Sequence, residues 1–238
     1  MNCMKDFVNL TQSKSQNYDL GLRTYMSSIY KYMSFALLIT GLVSYFTANT
    51  PALLKLIFGT PLAFVIAFAP LIYVIYFSSK IWSMSPEKAR NNLWIFSVIM
   101  GLSLTSIFLV YTSASIARTF FITSATFAGM SLYGYTTKKD LDGLGQFMMM
   151  GLIGIIIASI VNLFLRSPGM EFTISILGVV IFSALTAYDT QKLKRTYDYV
   201  GVNSDIKEKV AIIGALDLYM DFINLILMLL RFTGNRKN

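Results

Sequence analysis

Apolar residues in this chain come in long runs of about twenty positions, separated by short polar and basic stretches. A helix needs roughly 20 mostly apolar residues to cross the hydrocarbon core of a bilayer, where every backbone N–H and C=O must be satisfied within the segment. By that rule the pattern predicts an all-α integral membrane protein with seven transmembrane helices, at about 29–48, 61–79, 92–112, 116–135, 146–165, 171–190 and 210–230. A β-barrel would alternate apolar and polar positions in segments of about ten residues, a pattern this chain lacks. The fifth run is interrupted only by Ser159 and Asn162, whereas the sixth carries Ser175, Gly178, Ser183, Ala184, Thr186 and Ala187. Small residues let backbones approach closely, so the sixth helix should be packed on several sides.

The pattern divides the chain into a polar N-terminal segment, 1–28, a single membrane domain, 29–230, and a short basic tail, 231–238. The first segment lacks the apolar core of a signal peptide and turns amphipathic near Tyr25 to Tyr32. The longest connection, about Gln191 to Lys209, is polar and charged. Orientation follows from Lys and Arg beside the runs. With a cytosolic N-terminus, the inner flanks hold Lys5, Lys14, Arg23, Lys31, Lys80, Lys88, Arg90, Lys138, Lys139, Lys192, Lys194, Arg195, Lys207 and Lys209, and the outer loops only Lys55, Arg118 and Arg166. Arg231, Arg236 and Lys237 join the outer set if the last run crosses fully, which its length favours over a re-entrant path.

Composition changes this picture little. With 55% hydrophobic residues, 13% charged and a mean hydropathy of +0.60, 238 residues are too apolar for a soluble domain. The net charge of +8 sits in loops beside the runs, so it serves orientation rather than nucleic-acid binding. Cys3 is the lone cysteine and histidine is absent, which excludes an intramolecular disulfide and a Cys/His metal site. No cofactor is expected. The thirteen methionines read as packing residues, and Tyr73, Tyr76 and Trp82 as interfacial anchors.

The candidate chemistry lies in three aspartates within the last two runs: Asp189, Asp217 and Asp221. An ionisable side chain at membrane depth costs about 2.5–3.5 kcal/mol on insertion scales, so it faces a protein interior or a water path and marks function by default. Without histidine, proton sensing near neutral pH must come from carboxylates perturbed by burial or by one another. Gly214, Asp217, Asp221, Asn224 and Met228 recur at intervals of three or four, on one face of a helix. That polar stripe requires the last helix to be buried. Asn224 and Thr186 are further candidates for an ion path. A bland alternative, in which protonated aspartates merely hold helices together, is weaker because asparagine or serine would do so at lower cost.

Three motifs carry a resemblance. Ala187-Tyr188-Asp189-Thr190-Gln191 and Leu218-Tyr219-Met220-Asp221-Phe222-Ile223-Asn224-Leu225 resemble the two C-terminal signatures of the Bax inhibitor-1 family. The segment from Phe127 to Thr137, followed by Lys138-Lys139-Asp140-Leu141, resembles that family's loop-entry motif. The resemblance runs from about Arg23 to Gly234 and is nearest to bacterial members, which implies an inner-membrane location. It implies a fold in which six helices wrap a central C-terminal helix. It also implies a pH-sensitive calcium leak governed by an aspartate pair, matched here by Asp189 and Asp221, which would hold Ca²⁺ weakly and transiently. Asp217 has no acidic counterpart in that motif. A ruler of 1.5 Å per residue even pairs Asp189 better with Asp217, because Asp221 lies about 18 Å beyond Lys209 and Asp217 about 12 Å.

Two rivals belong to other functional classes. A non-conducting interaction protein, modulating a membrane protease or a cell-death or stress pathway, would share the same fold. An intramembrane aspartyl protease would use Tyr188-Asp189 and Gly214-Ala215-Leu216-Asp217, but Leu216 replaces the glycine of the second motif and Pro51-Ala52-Leu53 precedes the second run. The chain is therefore not expected to be an enzyme. A retinal receptor would need a lysine between Lys209 and Lys237, and there is none.

The charge bias yields a topology prediction. Cysteine introduced at 139 or 203 should resist an impermeant thiol reagent in intact cells and react after lysis. Rapid labelling of intact cells at either position would reverse the orientation.

Overall fold

The computed structural model describes residues 2–200 and 204–237, with side chains from Leu20 onward. Cys3, Lys5, Asp6, Lys14, Asp19 and the labelling position 203 lie outside the described side chains. The described chain is helical throughout: α1 (Asn2–Ala48), α2 (Pro51–Phe58), α3 (Leu62–Lys80), α4 (Pro86–Val110), α5 (Ser113–Thr136), α6 (Asp142–Leu165), α7 (Pro168–Tyr199) and α8 (Ser204–Thr233). A single 3-10 turn, Ile81–Ser83, follows α3. Each of the seven apolar runs lies within one long helix, to within two residues. The polar stretches add helix of their own, because α7 continues to Tyr199 and α8 begins at Ser204. The long connection expected at 191–209 is therefore mostly helical, a correction that apolar length could not foresee.

Local chemistry fixes several starts. Ser85, Thr112 and Ser167 each accept a hydrogen bond from the backbone N–H three residues on, capping α4, α5 and α7. Pro86 and Pro168 occupy first-turn positions, where a missing N–H costs nothing. Arg166 closes α6 in the left-handed conformation, with φ 49°, and its N–H donates to the Asn162 carbonyl at 2.8 Å.

Six helical segments among the described residues are long and apolar enough to cross a membrane: Leu20–Ala48, Leu62–Ser83, Pro86–Val110, Asp142–Leu165, Pro168–Tyr199 and Ser204–Thr233. The expected fourth span, α5, has the length, 24 residues, but it is too rich in hydroxyls and glycine to join them by composition. Its hydroxyls are turned inward. Ser115, Thr119, Thr123 and Ser131, four or eight residues apart, form its buried face.

Burial ranks the helices. In α8, 67% of the apolar window is buried, against 11% in α3 and in α6. α8 packs against α1, α4, α5 and α7, while α3 leans chiefly on α4 and α6 on α7. Four helices thus pack closely on α8, while α3 and α6 lie mainly against α4 and α7. Tyr219, fully buried, hydrogen-bonds Thr40 of α1 at 2.7 Å and meets Phe96 of α4 edge-on at 5.7 Å.

The ends of α8 lie on opposite faces of the bundle. Near its start, Glu208 pairs with Arg90 at 3.5 Å and Lys209 donates to the Trp82 carbonyl at 3.2 Å. Past its end, Asn235 and Lys237 bond the chain at Val110 to Ser115, and Arg236 pairs with Glu171 at 2.8 Å. Thirty helical residues join these faces, so α8 runs through the bundle rather than turning back. Arg231, Arg236 and Lys237 accordingly share the face of the α4–α5 and α6–α7 loops.

Close approach generates a stability prediction. A Cβ at Gly134 of α5 would strike the Ala187 carbonyl of α7, whereas one at Gly129 meets nothing within 4 Å. Gly134→Ala should destabilise the protein by about 1–3 kcal/mol through overpacking. Gly129→Ala should be neutral or mildly stabilising, since alanine is the better helix former by about 1 kcal/mol. Thermal unfolding in detergent compares the two.

Candidate functional site

The last two helices run antiparallel, and two contacts set their register. A Cβ on Gly214 of α8 would meet Leu193 of α7, and one on Gly178 of α7 would meet Met228 of α8 at 2.6 Å. Between these close approaches the acidic residues face one another. Thr186 and Thr190 are fully buried on either side of Asp189, and their hydroxyls donate at 2.8 Å to the carbonyls of Phe182 and Thr186. Thr190 also meets Ser131 of α5 at 3.2 Å, which seats a third helix at the site.

The Asp189 and Asp221 side chains face one another across the α7–α8 interface, near enough to interact. Asp217, one turn earlier on α8, is near enough to act electrostatically on Asp221 and to feel Asp189. Asp221 is 6% exposed, and its Oδ2 has no hydrogen-bond partner among the described residues. Lys192, exposed one turn along α7, is the cation that acts on all three. Asn224 sits half-buried one turn beyond Asp221. Among the described residues no three acidic or sulfur side chains converge as a metal cage.

The contact between Asp189 and Asp221 differs from the pairing that axial rise alone selects. The flanking contacts do put the Cα of Asp189 nearly level with Asp217. Side chains on a helix, however, lean toward its N-terminus. In antiparallel helices Asp189 and Asp221 therefore lean toward each other, while Asp217 leans away.

Sequence reasoning missed a polar latch one turn from Asp189. The buried Gln191 side chain accepts from the Leu141 N–H at 2.9 Å and donates to the Lys139 carbonyl at 2.8 Å. Arg195 reaches Asp140 at 2.7 Å, Asp142 at 2.9 Å and Gln191 at 2.6 Å. Lys194 donates to the Tyr135 carbonyl at 2.8 Å and lies over its ring. The partners across the latch are fifty or more positions apart, so only the Asp140, Asp142 spacing hinted at a shared cation.

Comparison with known proteins places this geometry. The family model described as "Inhibitor of apoptosis-promoting Bax1" matches residues 22–238. The chain is 46% identical over 228 residues to an uncharacterized protein of Rickettsia prowazekii, covering 96% of both. It is 46% identical over 219 residues to the inner membrane protein YbhL of Escherichia coli, covering 91% of this chain and 94% of that one. An uncharacterized membrane protein of Streptococcus pyogenes is 33% identical, with 97% and 99% covered.

The latch sets a prediction with a definite pH sign. Hydrogen bonding from Arg195 holds the Asp140 carboxyl below its ordinary 3.8. Its contribution is therefore complete above that ordinary value and is lost only as pH falls through the lower folded one. Arg195→Gln should speed hydrogen exchange of 137–142 roughly two- to fivefold at pH 7, as expected for exposed ion pairs. In the wild type that exchange, corrected for its intrinsic pH dependence, should show no transition between pH 6 and 8.

Proposed function

The chain belongs to the Bax inhibitor-1 family, and on that premise we propose that it is a passive, pH-regulated calcium leak channel gated by Asp189 and Asp221. What supports this reading is the proximity of these two carboxyls between α7 and α8, inside a membrane bundle, with Asp221 Oδ2 unpartnered among the described residues. Two carboxyls in contact away from water cannot both ionise cheaply, so they hold one proton between them. Losing that proton forces the helices apart or draws in a cation. Either event couples proton activity to an opening along α8.

Ca²⁺ suits such a site because it prefers oxygen ligands and tolerates irregular shells. Asp189 and Asp221 offer two carboxyls, with Asn224 and Thr186 further along the proposed path. Water or carbonyls must complete the shell, and weak holding favours conduction, since a permeating ion must leave. Asp217 adds negative potential without entering the pair.

The proposed topology is seven spans in a bacterial inner membrane, counting α5 as the fourth, with a cytosolic N-terminus. Lipid surrounds the bundle, and a membrane protease or another membrane protein is a secondary partner. α5 supports the count by its 24 helical residues, and an odd number of crossings is supported by Tyr32 of α1 meeting Glu208 at the α8 start while the chain end lies on the opposite face. No enzymatic activity is proposed. Peptide hydrolysis would need Asp189 opposed to Asp217, whereas Asp189 meets Asp221, and the buried Leu216 crowds the backbone before Asp217.

The test is Ca²⁺ flux into liposomes holding the purified protein, measured across pH. Wild type should conduct with a pH dependence concentrated between about pH 6 and 8, as expected if two carboxyls share one proton at the gate. Asp221→Asn should flatten that dependence. Flux absent from wild type at every pH would leave the non-conducting interaction protein. A second assay bears on chemistry: Leu216→Gly should not cleave membrane peptides, and wild-type cleavage lost in both Asp189→Asn and Asp217→Asn would revive the protease.

A further inference from the structure

A second feature lies on the other side of α8. α1 and α5 both pack against α8 but scarcely touch one another, which leaves a crevice of about 1200 Å³ between them. Its walls change character along its length. Arg23, Ser27 and Tyr30 line one end, and Leu38, Leu42 and Phe120 line the other. From Arg23 to Leu42 the helix rises about 28 Å, close to the ~30 Å thickness of a hydrocarbon core. Phe222 forms part of the floor, and its ring meets Phe127 edge-on at 5.6 Å.

We infer that this crevice is a phospholipid site, taking acyl chains between α1 and α5 and an anionic headgroup at Arg23. The apolar end is open sideways, with Leu38 and Phe120 exposed, and an apolar gap inside a bilayer does not hold water. The occupant must therefore be apolar along most of its length. It must also be polar at one end, because Arg23 is exposed at the mouth and forms no ion pair among the described residues. An anionic phospholipid has that gradient and supplies the missing charge. A protein helix would bring a second apolar face but no anion at a fixed end. The seated lipid packs on Phe222, the residue after Asp221, while the Ser131–Thr190 contact separates it from the carboxyls.

Native mass spectrometry of the detergent-purified full chain, exchanged with phosphatidylglycerol or phosphatidylcholine, tests the site. Wild type should retain one phosphatidylglycerol, favoured about fivefold over phosphatidylcholine, as one basic residue beside an anionic headgroup predicts. Arg23→Gln should erase that preference. A Cβ at Gly41 meets nothing within 4 Å, so Gly41→Trp should fill the crevice without disturbing a neighbour and abolish retention of both lipids. Ala128→Phe, from the opposite wall, should give the same loss with an unchanged melting temperature. Equal retention of both lipids by wild type, or retention that survives Gly41→Trp and Ala128→Phe, would overturn the assignment. So would a dimer that Gly41→Trp dissociates, since the crevice would then seat a second copy.

Discussion

Carboxyl groups at membrane depth cannot be left facing lipid, and most of this architecture answers that constraint. Asp217 and Asp221 oblige α8 to be enclosed on its polar side, while Ile212, Leu216, Phe222 and Leu229 make its other sides apolar and buried as well. Lipid is as apolar as leucine, so enclosure must come from close packing and hydrogen bonds rather than from the hydrophobic effect between helices. Both devices are present. Gly134, Gly178 and Gly214 mark the close approaches around α7, and the inward hydroxyls of α5 replace the side-chain volume that larger residues would occupy.

Polar contacts tie the bundle together at both of its ends. On one face Arg195, Gln191 and Lys194 tie α7 to the chain between α5 and α6. On the other the C-terminal tail bridges α4, α5 and α7. Between these anchors lie the Asp189 and Asp221 carboxyls, and Asp221 Oδ2 has no hydrogen-bond partner among the described residues. In the proposed mechanism that pair is the switch. Fixed ends confine any rearrangement to the middle of α7 and α8, and the latch titrates too far into the acid range to move with it near neutrality.

Much of this was legible in the sequence because lipid imposes so strict a rule on length. Each apolar run lay within one helix to within two residues, α5 included, although its hydroxyls dilute the apolar signal. The helical extensions beyond the bilayer were not legible, since polar residues such as Lys192 to Tyr199 continue a helix without any apolar signature. The candidate site was read in part. Motif resemblance named Asp189 and Asp221, whereas axial rise favoured Asp217 because it ignores the lean of side chains. The latch and the α1–α5 crevice depend on partners far apart in sequence, and periodicity carries no information about those.

The central claim is that Asp189 and Asp221 act as one unit while Asp217 does not. A double-mutant cycle on the pH dependence of Ca²⁺ flux measures this directly, using Asp189→Asn with either Asp221→Asn or Asp217→Asn. The account predicts that the 189/221 double variant differs little from either single variant, and that the 189/217 effects add. Additive effects at 189 and 221, with coupling between 189 and 217 instead, would contradict it.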